Sequence, residues 1–258
     1  MKSAPVSLDA VRRHCLEIDR CNQRGGRMLS IVDLLEAGTF TLELAAFALA
    51  VIGDGASFLV GAMPGGAGKT TVMGALLNFV PDDVALVPAD GIRTIEQARR
   101  TTDRRLCCIC HEIGAGPYYA YLWGAELRAY FALAAVGHML ATNLHADTYE
   151  QARAQICDDN GVAEADFRRM HLLLFLSLER SGRGLVRRIA EAWYGDGTAP
   201  HTPVFADGRL HRPAVERFVP QARLLEATGA LEAIVASGAR TIEQVRAAII
   251  EMRRSASR

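Results

Sequence analysis

The sequence predicts a layered α/β domain around a central, mostly parallel β-sheet. Short apolar runs recur along the chain, segments with helical spacing separate most of them, and a glycine-rich loop joins one run to a helix. Continuous rather than alternating hydrophobicity is typical of strands covered on both faces. The predicted strands are residues 57–61 (SFLVG), 84–88 (VALVP), 106–110 (LCCIC), 139–143 (MLATN) and 172–178 (LLLFLSL).

Helices are predicted between these strands and at both ends of the chain. The helix over 117–136 is aromatic-rich and starts at Pro117, and Thr148 is the N-cap of another. Asp207-Gly208 predicts a hairpin turn within the turn-rich residues 193–213. The other helices are predicted over residues 8–20, 41–52, 69–80, 148–156, 221–238 and 241–254, the last with an apolar face of Ile242, Val245, Ile249 and Ile250. We therefore predict a core over residues 1–212, with a short N-terminal helical lead, and a helical C-terminal extension over residues 213–258.

The composition gives no general sign of a nucleic-acid or membrane partner. Lys plus Arg and Asp plus Glu both number 29. The first residues are charged throughout, unlike a signal peptide, and the longest apolar stretches, 42–52 and 129–136, are shorter than the roughly 20 residues that span a bilayer. Six widely spaced cysteines suggest reduced thiols. These features predict a soluble, cytoplasmic protein without a transmembrane segment.

Residues 63–72 (MPGGAGKTTV) predict a phosphate-binding loop between a strand and a helix. In such a loop backbone amides surround an anion at a helix N-terminus, a lysine adds charge, and a hydroxyl binds Mg²⁺. The pattern G-x-x-x-x-G-K-[ST] would place glycine where this chain has Met63, which is tolerable if its φ is negative. The alternative is a glycine-rich turn with an accidental Lys-Thr. The predicted cofactor-binding residues are Gly65, Gly66, Ala67, Gly68, Lys69, Thr70 and Thr71, with Thr70 also a metal ligand.

Two carboxylates follow predicted strands and are candidates for the metal and water site that phosphoryl transfer needs. Glu112 ends the run 106–112 (LCCICHE), where a buried strand delivers an acid to one edge of the sheet. Asp90 follows the run at 84–88. The alternatives are a surface glutamate for Glu112 and a simple Asp-Gly turn for Asp90.

The order of motifs resembles the ATPase core of the type II/type IV secretion and pilus-assembly superfamily. The loop is followed by a strand ending in residues 111–113 (HEI) and by residues 137–148 (GHMLATNLHADT), close to the histidine box G-H-x-x-x-T-x-H-A of that family. The box residues present are Gly137, His138, Thr142, His145 and Ala146. Residues 26–38 and 171–193 also resemble family segments, so the resemblance covers roughly 25–195.

The resemblance implies a RecA-like P-loop fold, binding of ATP and Mg²⁺, and a hexameric ring that acts with a membrane protein of a secretion or pilus assembly. It implies that Lys69 and Thr70 bind phosphates and Mg²⁺, that Glu112 belongs to the metal and water site, and that His145 senses or positions the γ-phosphate. From the sequence alone, His145 follows a strand and lies at the carboxyl edge of the sheet, and a structural histidine is the alternative.

The chain departs from this family in three ways. Gly114 stands where many members have arginine after Glu-Ile, Asp90 is the only acid near the end of the second strand, where the family usually has a glutamate, and the stretch before Phe58 is too short for the usual large N-terminal domain. Hydrolysis is therefore expected to be slow, or to need an arginine from elsewhere. The candidates are Arg180, Arg183, Arg187 and Arg188, although a solvated basic turn is the simpler interpretation.

Two other patterns in the sequence have simpler interpretations. Residues 107–111 (CCICH) contain C-x-x-C-H, but an apolar strand without a signal peptide favours buried thiols over haem or zinc ligands. The aromatics between Tyr118 and Phe131 suggest a base-stacking surface, yet without a basic stripe they are expected to pack a helix on the sheet.

The predicted function is a Mg²⁺-dependent ATPase motor, with Glu112, His145 and Asp90 as the catalytic candidates and Thr70 and Glu112 as metal ligands. A nucleotide-binding adaptor without turnover is the main alternative, and a small-molecule kinase is the second. Single-turnover assays separate the adaptor from the motor, and phosphate transfer to an added acceptor identifies the kinase.

Overall fold

A central β-sheet organises the chain in the computed structural model, which describes residues 7–22, 25–63, 65–182 and 184–256. Its strands begin close to where the apolar runs predict them. They are β1 (Phe58–Gly61), β2 (Ala85–Pro88), β3 (Leu106–Ile113), β4 (Tyr121–Leu122), β5 (Met139–Leu144), β6 (Leu172–Ser181), β7 (Gly184–Tyr194), β8 (Thr202–Ala206) and β9 (Arg209–Leu210).

The strand order of the sheet is β2-β3-β5-β1-β6-β7-β8-β9, with β4 paired to β3. Pairing is parallel from β2 through β6 and antiparallel from β6 through β9. One strand, β5, therefore separates β1, which leads into the glycine-rich loop, from β3, which carries Glu112. The mostly parallel α/β sheet confirms the predicted fold class.

Helices cover both faces of the sheet. Several start at side-chain caps, since Ser7, Thr41 and Thr148 each accept a hydrogen bond from a first-turn amide. The helices are α1 (Leu8–Arg20), α2 (Ile31–Glu36), α3 (Leu42–Gly53), α4 (Lys69–Leu77), α5 (Ile92–Arg100), α6 (Ala125–Ala132), α7 (Tyr149–Arg153), α8 (Glu164–Phe167), α9 (Arg212–Val215), α10 (Gln221–Ala236) and α11 (Ile242–Ala256).

Two apolar cores lie on opposite faces of the parallel strands. Phe58 and Val60 of β1 belong to one core, whereas Leu59 belongs to the other. In β3, Cys107 and Ile109 point to the first core, and Cys108 and Cys110 point to the second. Successive side chains of a strand alternate between faces, so the continuous apolar runs reflect burial on both sides. Burial raises the pKa of the Cys108 and Cys110 thiols to about 12, which confirms that they act as packed apolar groups.

The predicted helix over residues 117–136 is wrong at its start. The chain turns through Ala120 at φ 54°, adds β4 beside the end of β3, and begins α6 only after Gly124. Tyr130 and Phe131 of α6 are fully buried, as expected. Tyr118 and Tyr119 precede the helix and are 65% and 54% exposed, so the prediction that these aromatics pack a helix on the sheet is wrong for them. In this segment, pairing of β4 with β3 outweighs the helix propensity of the residues.

The C-terminal elements agree with the sequence pattern. Asp207 and Gly208 both have positive φ and join β8 to β9, as a two-residue hairpin turn requires. Ile242, Val245, Ile249 and Ile250 of α11 are all buried in the first core. The division predicted between residues 212 and 213 falls at the start of α9 and stays a prediction. No helix in the described parts of the chain is both long and apolar enough to cross a bilayer.

The buried His14 and the partly buried His171 predict that acid destabilises the fold. Burial lowers the pKa of His14 to about 3 and of His171 to about 4, from an ordinary 6.5. Between these values and 6.5 the unfolded chain binds more protons, so the free energy of unfolding falls as pH falls, by up to about 1.4 kcal/mol per pH unit for each histidine.

Urea unfolding at pH 7.5, 6 and 5 measures this slope. The ring nitrogen Nε2 of His14 lies 3.0 Å from the carbonyl oxygen of Leu77. His14→Gln keeps a donor for that oxygen and removes the titration, so we expect a shallower slope. Equal slopes in the parent chain and the variant would contradict the assignment to His14.

Candidate functional site

The glycine-rich loop curls between the end of β1 and the start of α4. Gly66 has φ 87° and Gly68, the N-cap of α4, has φ 105°, so both need glycine. The loop ends at a helix N-terminus, where backbone amides lack internal partners and favour an anion. Pro64 lies outside the described residues. The local conformation is therefore suited to a phosphate group.

A cavity of about 420 Å³ opens over this loop. Every residue predicted to bind the cofactor lines it, together with Glu112 and His145. Among the described residues, the lining consists of Asn22, Gly25, Arg27, Met28, Leu29, Gly65, Gly66, Ala67, Gly68, Lys69, Thr70, Thr71, Glu112, Tyr121 and His145. Residues far apart in the chain thus meet at one edge of the sheet.

Lys69 is the buried cation of this cavity, with only 6% of its surface exposed. Its Nζ lies 3.2 Å from the carbonyl oxygen of Ala62 and 3.6 Å from Oε2 of Glu112. Burial lowers the pKa of Lys69, and the charge of Glu112 acts in the opposite direction. The ammonium group also lies 3.2 Å from Nδ1 of His145, and a phosphate group would add a further oxygen partner.

Glu112 reaches the cavity from the end of β3 and is also buried. Burial raises the pKa of its carboxyl group, while Lys69 and His145 act to lower it. Oε1 is buried without a hydrogen-bond partner and lies 3.9 Å from Nε2 of His145. A buried carboxylate oxygen without a partner is costly, and a cation or an ordered water would satisfy it.

The side-chain oxygen atoms of Glu112 and Thr70 are suited to binding Mg²⁺. Both residues line the same cavity, and oxygen ligands are those that Mg²⁺ prefers. Among the described residues, no group of three or more His, Cys, Asp or Glu side chains could hold a metal ion. The donor set therefore suits an ion that takes one or two protein ligands and the rest from water and phosphate oxygens.

His145 follows β5 and links Lys69, Glu112 and the loop entrance. Its Nδ1 lies 2.9 Å from the carbonyl oxygen of Met63 and 3.2 Å from Nζ of Lys69. One nitrogen cannot donate to the carbonyl and accept from the ammonium at once, so the tautomer decides which contact is a hydrogen bond. Donation to Met63 leaves Nε2 as an acceptor near Glu112. His138, the other histidine of the box, instead accepts from the Leu106 amide and is structural.

The Met63 departure from the loop pattern has a structural explanation. Its backbone amide donates to Oδ1 of Asp147 at 2.7 Å, and its carbonyl contacts His145. The φ of Met63 is not in the left-handed region, as expected for a tolerated residue, and its side chain points outward with 51% exposed. The histidine-box segment thus fixes the loop entrance through backbone contacts that any residue offers.

Asp90 is the one predicted catalytic residue that does not line the cavity. It is exposed at the start of α5, where its Oδ1 accepts a hydrogen bond from Thr94 at 2.8 Å. Its strand, β2, is separated from β1 by both β3 and β5. The catalytic role of Asp90 stays a prediction, without a contact to the cavity to support it.

One of the candidate arginines contacts the loop. Arg187 on β7 donates from Nε to the Ala67 carbonyl at 3.0 Å, and its Nη2 is 3.4 Å from the Gly66 carbonyl. Its neighbour Arg188 is exposed. Arg183 and the side chain of Arg180 lie outside the described residues.

Two cavity walls were not predicted from the sequence. Arg27, Met28 and Leu29 form one wall, and Arg27 makes a two-pronged ion pair with Asp33 at 2.6 and 2.8 Å. Their one signal was the resemblance of residues 26–38 to a family segment. Tyr121 lines the cavity because β4 pairs it with Glu112, which the predicted helix over 117–136 concealed.

Secretion ATPases are among the solved structures to which the chain is similar, whereas no protein-family model and no curated protein matches it. The VirB11 ATPase of the Brucella suis type IV secretion system is 20% identical, with a TM-score of 0.41 over 64% of this chain and 54% of that chain. The ATPase DotB of Yersinia pseudotuberculosis is 13% identical, with a TM-score of 0.45 over 84% of this chain and 62% of that one. The DotB of Legionella pneumophila is also 13% identical, with a TM-score of 0.41 and coverage of 73% and 54%.

This chain therefore spans 54% to 62% of the length of these three proteins. At such identities and TM-scores the likeness concerns the fold.

The close approach of the loop entrance to the histidine-box segment predicts that Gly61→Ala is destabilising. A Cβ atom at Gly61 would lie 2.6 Å from both the carbonyl oxygen of Ala146 and Cδ1 of Phe175. We expect a loss of about 1–3 kcal/mol in the free energy of unfolding, measured by urea denaturation.

Gly65→Ala is the matched control in the same loop. A Cβ atom there meets no atom within 4 Å, and the φ of Gly65 is not left-handed. We expect its stability to remain within about 0.5 kcal/mol of the parent chain. Similar losses in both variants would show that the contact with Ala146 and Phe175 is not the cause.

Proposed function

We propose that this chain is a Mg²⁺-dependent ATPase that couples ATP turnover to conformational work. The observation that carries this proposal is the convergence of Lys69, Glu112 and His145 on one cavity at the N-terminus of α4. A generic glycine-rich turn would not need a buried lysine at the start of a helix, together with an unpartnered carboxylate oxygen and a histidine from the ends of two strands. The cysteines of residues 107–111, which suggested haem or zinc ligands, do not line this cavity.

In the proposed reaction the loop amides and Lys69 bind the phosphates. A phosphate group next to Lys69 replaces the electrostatic role of Glu112 and releases that carboxylate. Thr70 and Glu112 would hold Mg²⁺, which when bound neutralises charge on the phosphate oxygens. Glu112 then orients water and accepts its proton, and the burial that raises its pKa makes it a better base near neutral pH.

His145 is proposed to report the presence of the γ-phosphate. Its ring touches the loop entrance, Lys69 and the neighbourhood of Glu112, so a phosphate entering the cavity would change which partner the ring binds. Since His145 directly follows β5, such a change acts on the strand between β1 and β3. This gives the proposed motor a route from nucleotide state to backbone position.

The charge balance of the cavity favours slow turnover by a single chain. Arg27 is the one arginine of the described residues that lines the cavity, and Asp33 already binds it. Gly114 stands where an arginine would follow Glu112-Ile113. We therefore propose that copies of the chain assemble into a ring, as the resemblance to hexameric ATPases implies, and that a neighbouring copy supplies an arginine. A cytoplasmic location and a membrane-protein partner of a secretion or pilus assembly complete the proposal.

The alternative, a nucleotide-binding adaptor, rests on the same charge balance. Without an arginine at the γ-phosphate the chain would bind ATP and change conformation without hydrolysing it. The two proposals share the binding site and differ only in turnover.

Lys69→Ala is expected to abolish nucleotide binding. Loss of the ammonium group should raise the Kd for Mg²⁺ and a non-hydrolysable ATP analogue by at least about 100-fold, or roughly 2.7 kcal/mol, in isothermal titration calorimetry. Arg104→Ala, which removes one exposed positive charge outside this cavity, is the control and should bind like the parent chain. Retained micromolar affinity in Lys69→Ala would count against the proposed site.

A second variant separates lost binding from lost folding. Lys69→Ala leaves the buried Glu112 without its cation, which is destabilising. Lys69→Ala combined with Glu112→Gln removes both charges, so we expect better thermal stability than in the single variant and equally weak binding. Nucleotide binding restored by Glu112→Gln would contradict the role given to Lys69.

Glu112→Gln is expected to separate binding from hydrolysis. The amide keeps the size of the side chain and cannot accept a proton, so single-turnover hydrolysis should fall by about 100-fold or more while ATP affinity stays within a few-fold. Asp90→Asn tests the second carboxylate in the same assay, and a smaller effect is expected because Asp90 lies outside the cavity. A parent chain that binds ATP without turnover, as monomer and as oligomer, would establish the adaptor.

A further inference from the structure

Arg187 contacts the phosphate loop from outside the cavity. Its guanidinium lies at 3.0 Å from the Ala67 carbonyl oxygen and 3.4 Å from that of Gly66, and it does not line the cavity. Its aliphatic stem lies against Gly68, where an added Cβ would be 3.2 Å from Cδ of Arg187. The side chain therefore covers the back of the loop over three consecutive residues.

These contacts fix the direction of two backbone amides. In a trans peptide the carbonyl oxygen of one residue and the N–H of the next point in opposite directions. Carbonyls of Gly66 and Ala67 held toward Arg187 therefore turn the N–H groups of Ala67 and Gly68 away from it, toward the cavity that both residues line. Those N–H groups are the ones that a phosphate-binding loop presents to an anion.

The position of Arg187 is itself well fixed. It lies on β7, where it pairs with Leu178 of β6, and the amide of nearby Ile189 donates to the carbonyl of Thr39. Glycine at positions 66 and 68 leaves the loop conformationally free, since such residues adopt many backbone states at little cost. A loop with this freedom loses entropy when it orders around an anion. A side chain such as Arg187, which holds the loop in place beforehand, reduces that loss.

We propose that Arg187 is a positioning residue that holds the phosphate loop in its anion-binding conformation. The inference rests on the proposed function and extends it to a residue outside the cavity. Because Arg187 acts through the loop backbone, it contributes to binding the ground state and the transition state alike. An arginine that contacts the γ-phosphate directly would instead act mainly on the transition state.

Replacement of Arg187 tests this role, with an exposed arginine that has no proposed role as the control. Arg187→Ala should raise the Kd for Mg²⁺ and a non-hydrolysable ATP analogue by about 10-fold and raise KM similarly, with kcat within about 2-fold of the parent chain. Arg209→Ala removes the same charge from an exposed residue of β9 that does not line the cavity, and should leave Kd, KM and kcat unchanged. Thermal denaturation without nucleotide confirms that each variant is folded.

Arg187→Lys is the second variant and keeps the test decisive if Arg187→Ala does not fold. An ammonium group has no two-pronged fork, so it can hold one carbonyl well and we expect a rise in Kd of about 3-fold. Binding by both folded variants equal to that of the parent chain would overturn the role of Arg187. A large fall in kcat with unchanged KM would also overturn it, in favour of a direct contact with the reacting phosphate.

The experiment distinguishes this inference from the proposed function beneath it. A parent chain that binds no nucleotide overturns both. A parent chain whose binding depends on Lys69 but not on Arg187 overturns only the positioning role.

Discussion

The buried ammonium group of Lys69 is the constraint on which the site depends. A lysine taken out of water needs partners, and those of Lys69 come from the ends of three different strands: the Ala62 carbonyl after β1, Glu112 at the end of β3 and His145 after β5. They meet only because β5 lies between β1 and β3 with all three strands parallel. The strand order thus brings the partners of Lys69 together, and with another order the buried ammonium group would lack them.

Much of this arrangement could be predicted from the sequence because its signals are local. Apolar runs located the parallel strands, and residues that follow such strands must gather at one edge of the sheet. That rule succeeds for Glu112 and His145 and does not bring Asp90 into the cavity. Adjacent strands lie about 4.8 Å apart, so β2 is roughly 14 Å from β1, beyond the reach of an aspartate. Arg27, Tyr121 and Arg187 depend on tertiary packing, for which no short pattern exists.

Two desolvated groups of opposite charge, Lys69 and Glu112, face the cavity. Lys69 and Glu112 are both desolvated, their pKa values are both shifted toward the neutral form, and Oε1 of Glu112 has no hydrogen-bond partner. Such groups lower stability unless something enters to satisfy them. An anion beside Lys69 together with a cation beside Glu112 satisfies both, which is the charge distribution of a metal-bound triphosphate.

The helix α4, which begins at the phosphate loop, is also held by side-chain contacts at its C-terminal end. The nine residues of α4 and the turn after it leave free carbonyls, and side chains of α11 and α1 satisfy them. Arg246 binds the Asn78 carbonyl at 2.9 Å, Arg253 binds that of Phe79 at 2.6 Å, and His14 contacts that of Leu77. Cations at the C-terminus and an anion at the N-terminus both suit the helix dipole. The C-terminal helix α11 therefore holds one end of the helix whose other end faces the cavity, although α11 itself does not line the cavity.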